Sequence, residues 1–251
     1  VSPDGRFLAY AATAGIRKGY NGAELVIKDF KTGETRTLTD TLDRSIADIQ
    51  WSDNSKRIWI GYDDLGVGRV AEVDLNGKLR KAEIVIGGTA IGRPYTSGAF
   101  SVGGDAWLAF TQGRDDRPAD IAVFRPGKAP LQLTDLNSDL MGQRQMARVE
   151  RLVWPSSHDE LMIEGWVMKP PGFDPSRQYP MILEIHGGPH AAYGPNYSTE
   201  AQLYAAAGYV VFYTNPRGST SYGDTFANEI DLAYPGYDYD DLMSGVDALI
   251  E

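Results

Sequence analysis

The 251-residue sequence contains no cysteine. That single absence removes disulfides, thiolate-bound metal and thiol catalysis together, and it fits a reducing compartment. Basic residues are also short: 24 Lys and Arg stand against 34 Asp and Glu, a formal net charge of -10. A general nucleic-acid surface is excluded on this ground, because neutralising phosphates needs clustered cations. No apolar run approaches the ~20 residues of a membrane-spanning helix. No N-terminal targeting pattern is visible, but the first residue is Val1, directly before "SPDGR". The chain is therefore expected to begin inside a structural unit, which leaves cytoplasmic and periplasmic locations both open.

Glycine and proline are plentiful, at 28 and 14 residues. Tight turns of that density favour strands over a helix bundle. The first half bears this out as a repeat. "SPDGRFLAYAAT" (2–13) returns loosely as "SDNSKRIWIGY" (52–62) and again as "SVGGDAWLAFTQ" (101–112). Each copy is a serine, a polar turn and an apolar strand, at a spacing of about fifty residues. Second strands follow ("AELVIKDF", "GRVAEVDL", "ADIAVFRP"), then turns ("KTGE", "LNGK", "RPGK") and third strands ("TRTLTD", "LRKAEI", "LQLTDL"). Asp4-Gly5 and Asn76-Gly77 are turn dipeptides that tolerate positive φ. The pattern predicts stacked antiparallel meanders, each too small to bury its own face, and a strand-only unit of this length reads as a β-propeller blade. A β-sandwich with accidental similarity is the alternative. About three blades are present, so further blades are expected upstream of Val1.

The pattern breaks at "NSDLMGQRQMARVE" (137–150), a polar connector that places the domain boundary at about residue 140. Two strand-like runs follow, "RLVWPSS" and "LMIEGWVMKP", joined by a polar turn from Ser157 to Glu160. The proline-rich "PPGFDPSRQYP" can only be a surface loop. Then come "MILEI" (181–185), a predicted helix "STEAQLYAAAG" with Thr199 and Gln202 at capping-box spacing and Gly208 placed to end it, and "YVVFYTN" (209–215), a strand buried on both faces. "GDTFANEIDLAY" and "DLMSGVDALI" carry helical periodicity through Phe226, Ile230 and Ala233, and through Leu242, Val246 and Leu249. This alternation predicts a mostly parallel sheet with helices on its faces.

Between the third strand and the helix lies His186-Gly187-Gly188-Pro189. Either the chain merely turns there, or something must approach bare backbone. "ILEIHGGPH", "GYVVFYTNPRGSTSYGDTFANEI" and "YDYDDLMSGVDALI" together resemble the N-terminal part of the catalytic domain in the prolyl oligopeptidase family of serine peptidases, nearest its acylaminoacyl-peptidase and dipeptidyl-peptidase branch. The likeness is strong from Arg151 to Glu251 and weaker over the repeats, which resemble the propellers preceding such domains. It implies β-propeller blades over 1–140, followed by the N-terminal part of an α/β-hydrolase domain over 141–251. It also implies a peptidase that hydrolyses short peptides through an acyl-enzyme, without metal or organic cofactor. Backbone N–H groups of Gly188, and with less weight Gly187, would form half of an oxyanion hole, because glycine leaves room for an oxygen to approach.

The nucleophile elbow of such enzymes, Gly-x-Ser-x-Gly, is absent: no serine here has a glycine two residues before it. The elbow strand is expected just after Glu251, followed by Asp and His. The three histidines, His158, His186 and His190, all precede that point, so none takes the triad position. The 251-residue chain alone is thus expected to be inactive, and aggregation-prone through an unpaired sheet edge. His186 is expected to orient the loop or touch substrate, and His190 to line the cleft. Arg217 of "NPRGS" either pairs with a substrate carboxylate or anchors its own loop. Asp238, Asp240 and Asp241 are read as helix-starting carboxylates rather than a metal site. Glu164 and Glu184 lie in strands without the spacing of a glycosidase pair, and Asn196-Tyr197-Ser198 is a bare sequon. An esterase on the same fold and a non-catalytic propeller module with a hydrolase remnant remain as rivals. Oligomeric state and exopeptidase or endopeptidase preference are not encoded in these residues.

Overall fold

The structure is a computed structural model describing residues 1–13, 15 and 19–250, with the side chain of residue 105 outside that description. Among the described residues, eleven strands of the first half form three antiparallel sheets in chain order. The first joins β1 (Phe7–Ala12), β2 (Glu24–Asp29) and β3 (Thr35–Thr37). The second joins β4 (Ile46–Trp51), β5 (Arg57–Asp64), β6 (Val67–Asp74) and β7 (Leu79–Lys81). The third joins β8 (Phe100–Gly103), β9 (Trp107–Gln112), β10 (Asp120–Phe124) and β11 (Leu131–Gln132).

The repeat has a hydrogen-bonded basis. Ser2 Oγ accepts from the Phe7 N–H at 2.9 Å and donates to Asp4 Oδ1 at 2.6 Å, which also accepts the Arg6 N–H. Ser52 and Asn54 rebuild the same turn, taking the N–H groups of Arg57 and Lys56. The left-handed position is Gly5 (φ 73°) in one copy and Ser55 (φ 59°) in the other. The third copy departs from this: Ser101 lies within β8, and a 3-10 turn, Gly104–Ala106, leads into β9. Asn76-Gly77 closes the β6–β7 hairpin, with Gly77 at φ 86°. The extra strands β4, ahead of the second repeat, and β8, at the start of the third, lie outside the three-strand reading.

Side-chain alternation on β5 glues the sheets together. Ile58, Ile60 and Tyr62 join the core shared with Phe7, Leu25 and Ile27, whereas Trp59 faces the other way, to Phe100, Leu108 and Phe124.

In the second half, β12 (Val149–Pro155), β13 (Met162–Met168), β14 (Met181–Ile185) and β15 (Val210–Asn215) form one sheet in the order β12-β13-β15-β14. It is mixed, which corrects the mostly parallel expectation: only β14 and β15 pair in parallel, while β12–β13 and β13–β15 run antiparallel. The short turn at 156–160, with Glu160 at φ 61°, forces β12 and β13 into a hairpin. A crossover through α2 (Thr199–Ala206) makes β14 and β15 parallel, as it must. A four-residue helix, α1 (Ser138–Met141), sits in the connector between the halves.

Every residue of β15 is buried. Val211 and Tyr213 pack with Ala201 and Ala205 of α2 on one face. Val210 and Phe212 pack on the other with Trp154 and with Val246 and Leu249 of α4 (Asp238–Ile250). Burying a side chain such as Phe212 contributes about 2–3 kcal/mol, so the two-sided run fixes this strand at the sheet's centre. The cap of α2 is Ser198, whose Oγ accepts the Ala201 N–H at 3.1 Å. The expected Thr199–Gln202 box does not form, because Gln202 is buried and spends its amide on both backbone groups of Ala147. Gly208, at φ 96°, ends the helix as expected. "GDTFANEIDLAY" is helical only over α3 (Asp224–Ala227) and a following 3-10 turn, Asn228–Ile230.

Candidate functional site

The loop after β14 carries the candidate residues. Gly187 and Gly188 are exposed at its start. Among the described residues, no hydrogen bond uses either N–H. The two glycines differ in what they require. A Cβ on Gly187 would meet nothing within 4 Å, whereas Gly188 sits at φ 141° and its Cβ would fall 2.8 Å from the His190 nitrogen. Gly188 is thus demanded by backbone geometry, and Gly187 only by whatever occupies the space beside it. The helix lies where the sequence places it, at "STEAQLYAAAG". Residues 189–198 intervene, and α2 begins at Thr199.

The loop is held firmly around this exposed start. His186 is buried, its Nε2 2.9 Å from Ser219 Oγ and its Nδ1 3.2 Å from the Gly187 carbonyl oxygen, with its ring edge-on to Tyr193. Ser219 Oγ donates onward to the Pro216 carbonyl at 2.7 Å. Burial holds the His186 pKa below its ordinary 6.5, outweighing the Gly187 carbonyl, which favours the proton. A buried ring tied at both nitrogens braces the loop. His190 is half-buried, with Nδ1 3.0 Å from the Gly218 carbonyl oxygen and its ring 5.2 Å from that of Tyr20. It links the glycine loop, the loop after β15 and the first half of the chain.

Arg217 does not reach this site. It is buried, its backbone N–H and Nε both donate to Asp241 Oδ2, and its terminal nitrogens reach Asp241 and Asp159. Burial works against its charge, but the two carboxylates outweigh that and raise its pKa. The Arg217 bonds hold Asp159 below the usual carboxylate range. The substrate-carboxylate expectation for Arg217 is therefore replaced by anchoring: the fork ties the loop after β15 to α4. Asp238 and Asp240 start α4 as expected, while Asp241 is the buried partner of this ion pair. Asn196 of the sequon is buried, donating to the Tyr95 carbonyl. Glu164 pairs with Arg151 and Tyr222, and Glu184 with Arg93.

Two anchors of the loop went unrecognised in the sequence. Asn215 closes β15 and bonds the Tyr193 backbone, and Ser219 stands under His186. Their only sequence trace was position, both falling in or beside "NPRGS". Chemically, the site offers two unpaired amide donors on a braced loop at the C-terminal end of a parallel strand. That arrangement can accept an anionic oxygen.

Residues 195–251 match the prolyl oligopeptidase family, Peptidase_S9. The protein named "Uncharacterized peptidase YuxL" of Bacillus subtilis is 31% identical over 252 residues, covering 93% of this chain and 37% of that protein. A "Probable dipeptidyl-peptidase 5" of Arthroderma benhamiae is 27% identical over 258 residues, covering 96% of this chain and 33% of that protein. The chain thus spans about a third of the length of the curated relatives it matches. In fold it is similar to the acylaminoacyl peptidase of Pyrococcus horikoshii, with a TM-score of 0.82, 24% identity, and coverage of 98% of this chain and 37% of that one. Family match and curated relatives point the same way, to the prolyl oligopeptidase family, matched over residues 195–251.

Proposed function

We propose that this chain is part of a serine peptidase that hydrolyses short peptides through an acyl-enzyme, and that the Gly187 and Gly188 amides supply half of its oxyanion hole. Residues 1–140 are read as about three blades of a β-propeller, supported by three consecutive antiparallel sheets. Residues 141–251 are read as the N-terminal part of the α/β-hydrolase domain, supported by the β14–α2–β15 crossover. The observation that carries the proposal is the pair of exposed, unpaired N–H groups on a loop that His186 and Asn215 otherwise tie down.

In such a reaction, attack on a peptide carbonyl places negative charge on its oxygen. Donors fixed in advance at ~2.7–3.1 Å stabilise that charge without reorganising. The remaining donor, the nucleophile and the acid–base pair are not among these 251 residues, so the chain by itself turns over no peptide.

Gly187→Ala in the full-length protein tests the reading. The added methyl meets no neighbour within 4 Å, so the melting temperature stays within a degree or two. The same methyl occupies the approach of the substrate oxygen, so kcat/KM for a short peptide falls about 10²-fold, the order seen when one oxyanion donor is lost. Unchanged turnover by a folded variant contradicts the assignment. A full-length protein that cleaves p-nitrophenyl esters but not acyl-peptides would make it an esterase instead.

A further inference from the structure

The backbone of Tyr193 is gripped from two sides. On one side, residues 192–194 pair with 94–96: the Thr96 N–H donates to the Ala192 carbonyl at 2.9 Å and the Gly194 N–H to the Pro94 carbonyl at 2.8 Å. That pairing turns the N–H and C=O of Tyr193 the other way. There they meet one side chain: Asn215 Oδ1 accepts the Tyr193 N–H at 2.8 Å, and Asn215 Nδ2 donates to the Tyr193 carbonyl at 2.9 Å. A single amide replaces both bonds that a neighbouring strand would make.

The amide's orientation is itself fixed. The Tyr222 hydroxyl gives its one proton to Glu164 Oε2 at 2.6 Å, so its oxygen is left to accept from Asn215 Nδ2 at 3.0 Å. Asn215 and Tyr193 are both fully buried, and without this amide the two backbone groups of Tyr193 would have no partner, which buried groups do not tolerate. The clamp lies five residues beyond Gly188 and faces the same loop that His186 braces from its start.

We propose that Asn215 is a positioning residue for the oxyanion loop: by holding the Tyr193 backbone, it sets where the Gly187 and Gly188 N–H groups point. The inference rests on the oxyanion reading above. A displacement of about 1 Å in such donors is enough to cost about 10²-fold in rate.

The test uses the full-length protein carrying Asn215→Ala, with an N-blocked peptide aldehyde as probe, since its adduct carries the tetrahedral oxygen. Aldehyde affinity and kcat should both fall about 10²-fold, with KM for the peptide substrate within about twofold. Asn215→Asp, which keeps the acceptor for the Tyr193 N–H and so guards against misfolding, should fall in the same direction by about tenfold. Wild-type aldehyde affinity and kcat in a folded variant of either kind overturn the proposal, as does a loss confined to KM. Gly187→Ala run beside them separates the two failures. If it too leaves aldehyde affinity unchanged, the oxyanion reading falls and the clamp with it. If it weakens the aldehyde while the Asn215 variants do not, only the clamp falls.

Discussion

His186 shows how one buried ring can brace a loop. Its ring is buried against Tyr193 and bonded to Ser219, and burial keeps its folded-state pKa below 6.5. The unfolded chain takes up a proton near 6.5 that the folded ring resists. Unfolding therefore gains ground as pH falls through about 6.5 toward the folded pKa, and the contribution is restored above that window. Lowering the pH from 7.5 to 5.5 should depress the melting temperature more in the wild type than in His186→Asn, which cannot titrate. Parallel pH slopes for the two proteins contradict this account of the ring. Arg217 makes the complementary point: a lone arginine in a loop invites a ligand, yet its partners Asp159 and Asp241 lie 58 and 24 residues away in sequence.

Among elements, the β5–β6 hairpin shows how a tight turn can join the two halves. Its two-residue turn uses Leu65 at φ 52° and Gly66 at φ 74°, a pairing suited to the twist of adjacent strands. The turn docks on the second half: the Gly66 N–H donates to Ser221 Oγ at 2.7 Å, and the Leu65 N–H donates to the Ser221 carbonyl. Gly194 lies so close that a Cβ there would fall 1.8 Å from the Gly66 carbonyl oxygen. Gly194→Ala must push the hairpin off the loop, costing about 1–3 kcal/mol by overpacking, which thermal unfolding would report; an unchanged melting temperature would mean that the turn is not seated there. None of this docking was legible beforehand. Strand existence, the turn glycines and the two-faced character of β15 could be read directly, because they depend on local alternation and dihedral preference. The mixed strand order and the Asn215 clamp depend on partners tens of residues distant, which a single sequence does not identify. Thr199 and Gln202 illustrate the limit: their spacing was right for a box, but Gln202 was needed by Ala147.

At the scale of the whole molecule, the glycine loop belongs to both halves. Residues 94–96 of the first half pair with 192–194, Tyr20 lies against His190, and Arg93 reaches Glu184 and Glu200. The first half therefore helps shape the loop that carries Gly187 and Gly188, in addition to any role in admitting substrate. Side-chain changes alter these amides only indirectly, so the most direct measurement removes the donor itself. Replacing Gly188 by glycolate in the full-length protein exchanges one N–H for an ester oxygen and leaves every side chain in place. If the Gly188 amide holds the transient anion, kcat falls about 10²–10³-fold with KM nearly unchanged. A folded ester variant that turns over peptide at the wild-type rate contradicts the account.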